Sequence, residues 1–166
     1  DKIASNFIEA AVEQTRSLKL GSGLDEGVEI GPMFEDRAMQ HAIELVEDAQ
    51  KCGAKILTGG SRSSRFEKGY FFEPTVVNEV PENARMLHDE PFAPVMPVIN
   101  FDNLDEVIAA ANNTPYGLAA YVFTNDETTV WRMAEGIEAG IIGINDPVPT
   151  ALQCPFGGMK QSGQGR

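Results

Sequence analysis

Apolar positions in the first half of the chain follow a helical rhythm and then a strand rhythm. Ile3, Phe7, Ala10, Ala11 and Leu18 recur with Gln14 at helical spacing, which predicts a first helix over residues 2–18. Gly21, Gly23 and Gly27 make a loop, punctuated by Gly31-Pro32. Ala38, Ala42, Leu45, Val46 and Ala49 mark a second amphipathic helix, which Gly53 should end, since glycine adopts the left-handed backbone that closes helices. Lys55-Ile56-Leu57-Thr58 predicts a short strand ending at Gly59-Gly60. Residues 61–69 are polar and predict a surface loop. Residues 70–77 are β-rich, but Pro74 lacks the amide a ladder needs, so an edge or irregular strand is expected. The charged stretch 79–90 leaves room for one short helical turn, and residues 95–101 form the next strand.

The second half is more regular. Asp102 is the expected N-cap of a helix whose apolar face is Leu104, Val107, Ile108 and Ala111. Residues 112–117 form a turn and 118–123 a strand with two aromatics. Asn125 or Asp126 caps a helix faced by Val130, Met133, Ala134 and Ile137, with Trp131 expected to anchor it to a sheet. Residues 140–144 are almost continuously apolar, as in a strand covered on both faces. Strand, helix, strand, helix, strand at this spacing predicts βαβ units, and hence an α/β fold with a mostly parallel sheet and flanking helices. Ligands of such sheets sit beyond the carboxyl ends of the strands, which places residues 145–150 near any site. No internal repeat or low-complexity tract interrupts the pattern.

Composition narrows the function. The 166 residues suit one domain of ordinary size and core. Asp plus Glu outnumber Lys plus Arg by 25 to 13, a formal charge of −12. That balance argues against a nucleic-acid partner, which needs clustered positive charge, and against an anionic membrane surface. No apolar run is long enough to span a bilayer, and the start carries no signal-peptide core. The two cysteines, Cys52 and Cys154, allow at most one disulfide, so a reducing, cytoplasmic setting is expected. Beginning at Asp1 without Met and stopping at Gly163-Gln164-Gly165-Arg166, the chain reads as an excised piece.

Two constellations carry candidate chemistry. In Glu90-Pro91-Phe92-Ala93-Pro94, a loop carboxylate can accept hydrogen bonds from both hydroxyls of a ribose, and the neighbouring ring can pack against a nicotinamide. The alternative is a solvated glutamate and a core phenylalanine separated by a rigid proline. In Cys154-Pro155-Phe156-Gly157-Gly158-Met159-Lys160-Gln161-Ser162-Gly163, the paired glycines permit close approach to a ligand or to another segment, or simply make a tight surface turn. Cys154 has Gln153 and Pro155 as neighbours, neither of which activates a thiol. His41 and His88 lack metal-ligand spacing, and Gly21-Ser22-Gly23 follows a helix rather than a strand, so it is no phosphate cradle.

The order of these motifs resembles the aldehyde dehydrogenase superfamily through nearly the whole chain. The resemblance rests on Gly31-Pro32, Leu57-Thr58-Gly59-Gly60, Gly69-Tyr70-Phe71-Phe72-Glu73-Pro74-Thr75, Glu90-Pro91-Phe92-Ala93-Pro94-Val95, Tyr116-Gly117-Leu118 and Pro155-Phe156-Gly157-Gly158-Met159-Lys160. It implies an incomplete catalytic domain over residues 1–166, with the cofactor domain upstream and an oligomerisation tail downstream. It implies NAD or NADP as cofactor, with Glu90 on the nicotinamide ribose hydroxyls and Phe92 positioning ribose and ring. Where the family usually has Gly, this chain has Ala93, and His41 stands where a Lys near the adenosine half is common. The closing stretch is similar to the succinate-semialdehyde dehydrogenase branch. There, the residues before the Pro-Phe-Gly-Gly turn face the aldehyde, which makes Thr150, Gln153 and Cys154 substrate-facing candidates, with Phe156 of the turn itself beside them.

The family's mechanism needs a thiolate nucleophile, a Glu general base and an Asn-based oxyanion site. The resemblance puts all three upstream of Asp1, so no catalytic residue is assigned here, and Cys52 is no substitute. The implied protein is a homo-oligomeric oxidoreductase acting on a small aldehyde, and the isolated chain is expected to be inactive, with exposed sheet edges that lead to self-association or to a weakly stable monomer. Other readings of the same fold are a non-catalytic binding or scaffold module, and a reductase of semialdehydes or acyl phosphates.

Overall fold

The second amphipathic pattern organises the core. In the computed structural model, which describes residues 3–165, the chain divides into two compact units, residues 1–100 and 101–166. The first contains helices α1 (Ala4–Ser17) and α2 (Asp36–Lys51), strands β1 (Lys55–Thr58), β2 (Thr75–Asn78) and β3 (Val95–Val98), and a short 3-10 turn at Arg85–Leu87. Met39, Ala42, Leu45, Val46 and Ala49 of α2 are all buried, joined by Phe72, Val77, Val80, Ala84 and Met86 in one cluster. Gly53 follows the helix at φ 108, as its predicted closing role requires. Helix α1 forms almost where its periodicity predicts but buries none of its residues, and Phe7 is 52% exposed.

The three strands lie in the order β1-β2-β3, with β1 antiparallel and β3 parallel to β2. Of the edge or irregular strand expected at 70–77, the edge position is corrected: β2 is central and its Thr75, Val76 and Val77 are buried, while its pairing with β1 does shift register between Ile56 and Thr58. Pro74 stands one residue before the strand, so its missing amide removes no ladder bond. The polar stretch 61–69 is more ordered than a bare loop. Its start pairs with residues 71–73 through the Ser63 amide to the Phe71 carbonyl (2.8 Å) and the Glu73 amide to the Ser61 carbonyl (2.9 Å). The Phe66 and Phe71 rings stack with centroids 4.0 Å apart.

The second unit contains α3 (Leu104–Asn112), β4 (Ala119–Val122), α4 (Glu127–Gly136), β5 (Ile141–Ile144) and a closing 3-10 turn at Lys160–Ser162. Strands β4 and β5 pair in parallel from Ala119↔Ile141 to Val122↔Ile144, so β4-α4-β5 is the predicted βαβ unit. The pairings β2–β3 and β4–β5 give the mixed helix-and-sheet fold its mostly parallel character. Strand β3 pairs with β2 rather than β4, leaving a three-stranded and a two-stranded sheet.

Three local expectations change. The N-cap of α3 is Asn103, not Asp102: its side-chain oxygen accepts from the Asp105 amide (2.8 Å), and the helix starts one residue later than that cap would place it. Strand β5 is half-buried apart from Gly143, because two strands and two helices cannot cover both of its faces. Trp131 is 60% exposed and α4 buries no residue, so the indole is not the expected anchor. Asp126 does cap α4, accepting from the Thr129 amide (2.7 Å) and hydroxyl (2.6 Å).

Candidate functional site

The Glu90–Pro94 loop is tied down on both sides. The Arg85 amide donates to the Asp48 carboxylate (2.9 Å), seating the preceding turn on α2, and the Arg85 guanidinium pairs with Asp89 (3.1 Å). On the far side, the Thr75 amide donates to the Pro94 carbonyl (2.9 Å), joining the loop to β2. Ala93 packs its methyl against the core cluster, a use for the side chain that a glycine lacks. Between these anchors, Asp89 is spent on an arginine while the exposed Glu90 carboxylate has no hydrogen bond or ion pair among the described residues.

Phe92 is 83% exposed and holds φ 40. A left-handed backbone costs a non-glycine residue roughly 1–2 kcal/mol, and an exposed ring offsets none of it by burial. The alternative of a core phenylalanine is therefore overturned: the loop presents ring and carboxylate outward together. The loop also precedes β3, at the strand's amino end. The carboxyl-end rule that singled out residues 145–150 does not find it.

The second segment leaves the carboxyl end of β5. Asn145, at φ 54, turns the chain, donating through its side-chain amide to the Thr124 carbonyl (2.9 Å) and accepting from the Thr124 amide (2.9 Å). The Val148 amide donates to Asp146 (2.8 Å), and Pro147 and Pro149 stiffen the next residues. Residues 150–156 are all exposed, so Thr150, Gln153, Cys154 and Phe156 lie on one open segment. The Cys154 amide donates within it to the Ala151 carbonyl (2.9 Å).

The return is fixed by close backbone packing. A Cβ on Gly140 would overlap the Gly157 carbonyl, so the paired glycines serve the approach of one segment to another. The Met159 amide donates to the Gly117 carbonyl (2.8 Å), and the Gly117 amide to the Ser162 hydroxyl (2.9 Å). Asn112 joins helix ends, donating to the Gly136 carbonyl (2.7 Å) and accepting from the Glu138 amide (2.8 Å). From the sequence, Asn112 and Ser162 have no such role, and Asn145 is placed only within the stretch 145–150 near a site. Their signal was weak: small polar residues next to predicted turns, where side chains bond to backbone.

Glu90 and Phe92 belong to the first unit, and Thr150, Gln153, Cys154 and Phe156 to the second. His41 lies on α2, and the His88 ring contacts the Glu82 carbonyl at 2.9 Å. Among the described residues, no three acidic, His or Cys side chains gather as metal ligands, and no helix is long and apolar enough to cross a membrane.

Over residues 1–166 the sequence matches the model of the aldehyde dehydrogenase family. The chain belongs to that family. It is 42% identical over 164 residues to a probable succinate-semialdehyde dehydrogenase [NADP(+)] of Sinorhizobium fredii, covering 99% of this chain and 33% of that protein. The crystal structure of succinate-semialdehyde dehydrogenase from Burkholderia pseudomallei superposes with TM-score 0.96 at 36% identity, over 100% of this chain and 34% of that one. Betaine aldehyde dehydrogenase from Staphylococcus aureus, in complex with NAD+, gives TM-score 0.93 at 36% identity, over 100% of this chain and 33% of that one. This aldehyde dehydrogenase chain thus spans about a third of the length of the relatives it matches. Two relatives named for different aldehydes share its backbone almost equally, so fold alone does not choose the substrate.

Proposed function

We propose that this aldehyde dehydrogenase chain is part of an enzyme that oxidises succinate semialdehyde, or a similar semialdehyde, to the carboxylic acid with NAD or NADP. In this reading residues 1–166 are a partial catalytic domain. The nucleophilic cysteine, its general base and most of the dinucleotide site lie in polypeptide upstream, and oligomer contacts lie downstream. Glu90 accepts hydrogen bonds from the nicotinamide ribose, and Phe92 holds ribose and ring. The bound dinucleotide supplies the hydride acceptor. Thr150, Gln153, Cys154 and Phe156 face the aldehyde, and the Thr150 hydroxyl meets the far carboxylate of a semialdehyde. Two free cysteines, one half-buried and one exposed, suit a reducing compartment, and the cytoplasm is the proposed location. The full-length protein is a homo-oligomer in this reading.

The observation that carries the proposal is the exposed Glu90 carboxylate, without a hydrogen bond or ion pair among the described residues, two residues from a phenylalanine exposed in a strained backbone. A carboxylate unpaired among the described residues is available to a diol, and strain at an exposed ring points to binding rather than packing. The test follows NADH and NADPH formation with succinate semialdehyde, using the full-length protein, its Glu90→Gln variant and this chain alone. Turnover is expected from the full-length protein and none from the chain. Glu90→Gln should weaken dinucleotide binding by about tenfold, the scale of one charge-assisted hydrogen bond, with the unfolding midpoint unchanged. Turnover by the chain alone would overturn the assignment of the nucleophile and make Cys154 the residue to substitute. An unchanged dinucleotide affinity would remove Glu90 from the site.

A further inference from the structure

Lys160 has no part in the proposed function. Its ammonium donates to the carbonyls of Asn112 (2.7 Å) and Thr114 (3.2 Å) and pairs with the Glu138 carboxylate (2.7 Å). These three contacts use all three of its donors. Two of the acceptors lie at the carboxyl end of α3, where the helix dipole favours a cation, and the third follows α4. The side chain is only 25% exposed, and its backbone holds φ 54, a conformation unfavourable for lysine. The arrangement makes Lys160 a three-point clamp on the return of the segment whose exposed face carries Thr150, Gln153, Cys154 and Phe156. At the other end, Asn145 holds the take-off against Thr124.

We infer that Lys160 is a positioning residue for the aldehyde. It acts through the Phe156–Met159 stretch to hold the substrate-facing segment in register, and it touches neither substrate nor cofactor. The inference rests on the proposed function, because it needs residues 150–156 to face the aldehyde. A small displacement of a positioning segment lowers productive binding of the group it positions and leaves groups held elsewhere alone. Since the dinucleotide contacts are proposed for the loop before β3, the two affinities should separate.

The experiment uses the full-length protein with Lys160→Met, which keeps length and removes the donors, and Lys160→Arg, which restores charge and donors. Lys160→Met should raise KM for succinate semialdehyde by about tenfold to a hundredfold and leave KM for the dinucleotide unchanged, with Lys160→Arg recovering part of the loss. Hydrogen exchange at the Met159 and Gln161 amides should quicken in Lys160→Met. If Lys160→Met does not fold, Glu138→Gln takes its place, with a smaller rise of the same selectivity. Parallel changes in both KM values, or an unchanged aldehyde KM in an active variant, would overturn the inference and leave Lys160 a residue of general stability. A wild-type protein inactive on every aldehyde would bring down the functional reading itself, whereas an active wild type with an unaffected variant brings down this inference alone.

Discussion

Residues 1–100 and residues 101–166 both carry amphipathic periodicity, the more regular in the second, and they use it differently. In the first unit, α2 buries five residues into a cluster closed by Phe72 and by the residues that follow β2, and it begins without a side-chain cap. In the second, α3 and α4 bury none, and each carries one, from Asn103 and Asp126. Packing holds α2 and β2 in the first unit, though not α1. Local hydrogen bonds, close glycine contacts and the Lys160 clamp hold much of the second. An amphipathic pattern therefore states which face of an element is apolar, but whether anything covers that face is a property of the surrounding chain.

The comparison is sharpest at two aromatic side chains. Phe72 is 1% exposed, and Phe72→Ala should cost about 3–5 kcal/mol, combining lost burial with an unfilled cavity. Trp131, although larger, is 60% exposed, and Trp131→Ala should stay within about 0.5 kcal/mol. Urea denaturation of the chain carrying each substitution measures both. A Trp131→Ala cost approaching that of Phe72→Ala would break the comparison, because it would mean that α4 is packed after all.

A smaller effect tests whether glycine contacts stand in for a core in the second unit. The first side-chain atom of an alanine at Gly140 would meet the backbone carbonyl of Gly157, and backbone yields less readily than a flexible side chain. Gly140→Ala should cost about 1–3 kcal/mol through that overlap and quicken hydrogen exchange at the Met159 amide, which bonds to Gly117. An alanine accommodated with no change in either measurement would show that the closing segment is free to move away from β5.

What was legible divides between local and distant signals rather than between the two units. Periodicity and turn chemistry located α1, α2 and the four residues of β1, and the short turn in 79–90, because those signals depend on neighbours a few residues away. The central position of β2 was not legible, since Pro74 reads the same whether it lies inside a strand or one residue before it. Nor was the choice of Asn103 over Asp102, two adjacent residues equally able to cap, which differ only in phase with the helix. The exposure of Trp131 and the half-burial of β5 depend on distant chain, which local pattern does not report. For the site, chemistry pointed to Glu90 and Phe92 as a pair, and the structure adds a carboxylate exposed and unpaired among the described residues and a strained, exposed ring. Lys160 carried no such signal. Its partners are the ends of two helices, more than twenty residues away in sequence.

The gentlest test concerns the caps. Asp126 holds its carboxyl below the ordinary value of 3.8, first because the Thr129 hydroxyl donates to it and then because the Thr129 amide does, with slight desolvation opposing both. A carboxyl depressed in the folded state contributes stability that is present in full above its unfolded value, and this is lost as pH falls through the lower folded value. Stability of the chain should therefore drop more steeply below pH 3.8 than in Asp126→Asn, which keeps an oxygen acceptor for the Thr129 amide but does not titrate. Thr129→Val removes the hydroxyl while keeping the amide, so its acid slope should fall between the two. Urea midpoints across pH 2–6 read all three. If the three slopes coincide, the cap contributes nothing that packing does not already supply, and α4 must be held by its neighbours as α2 is.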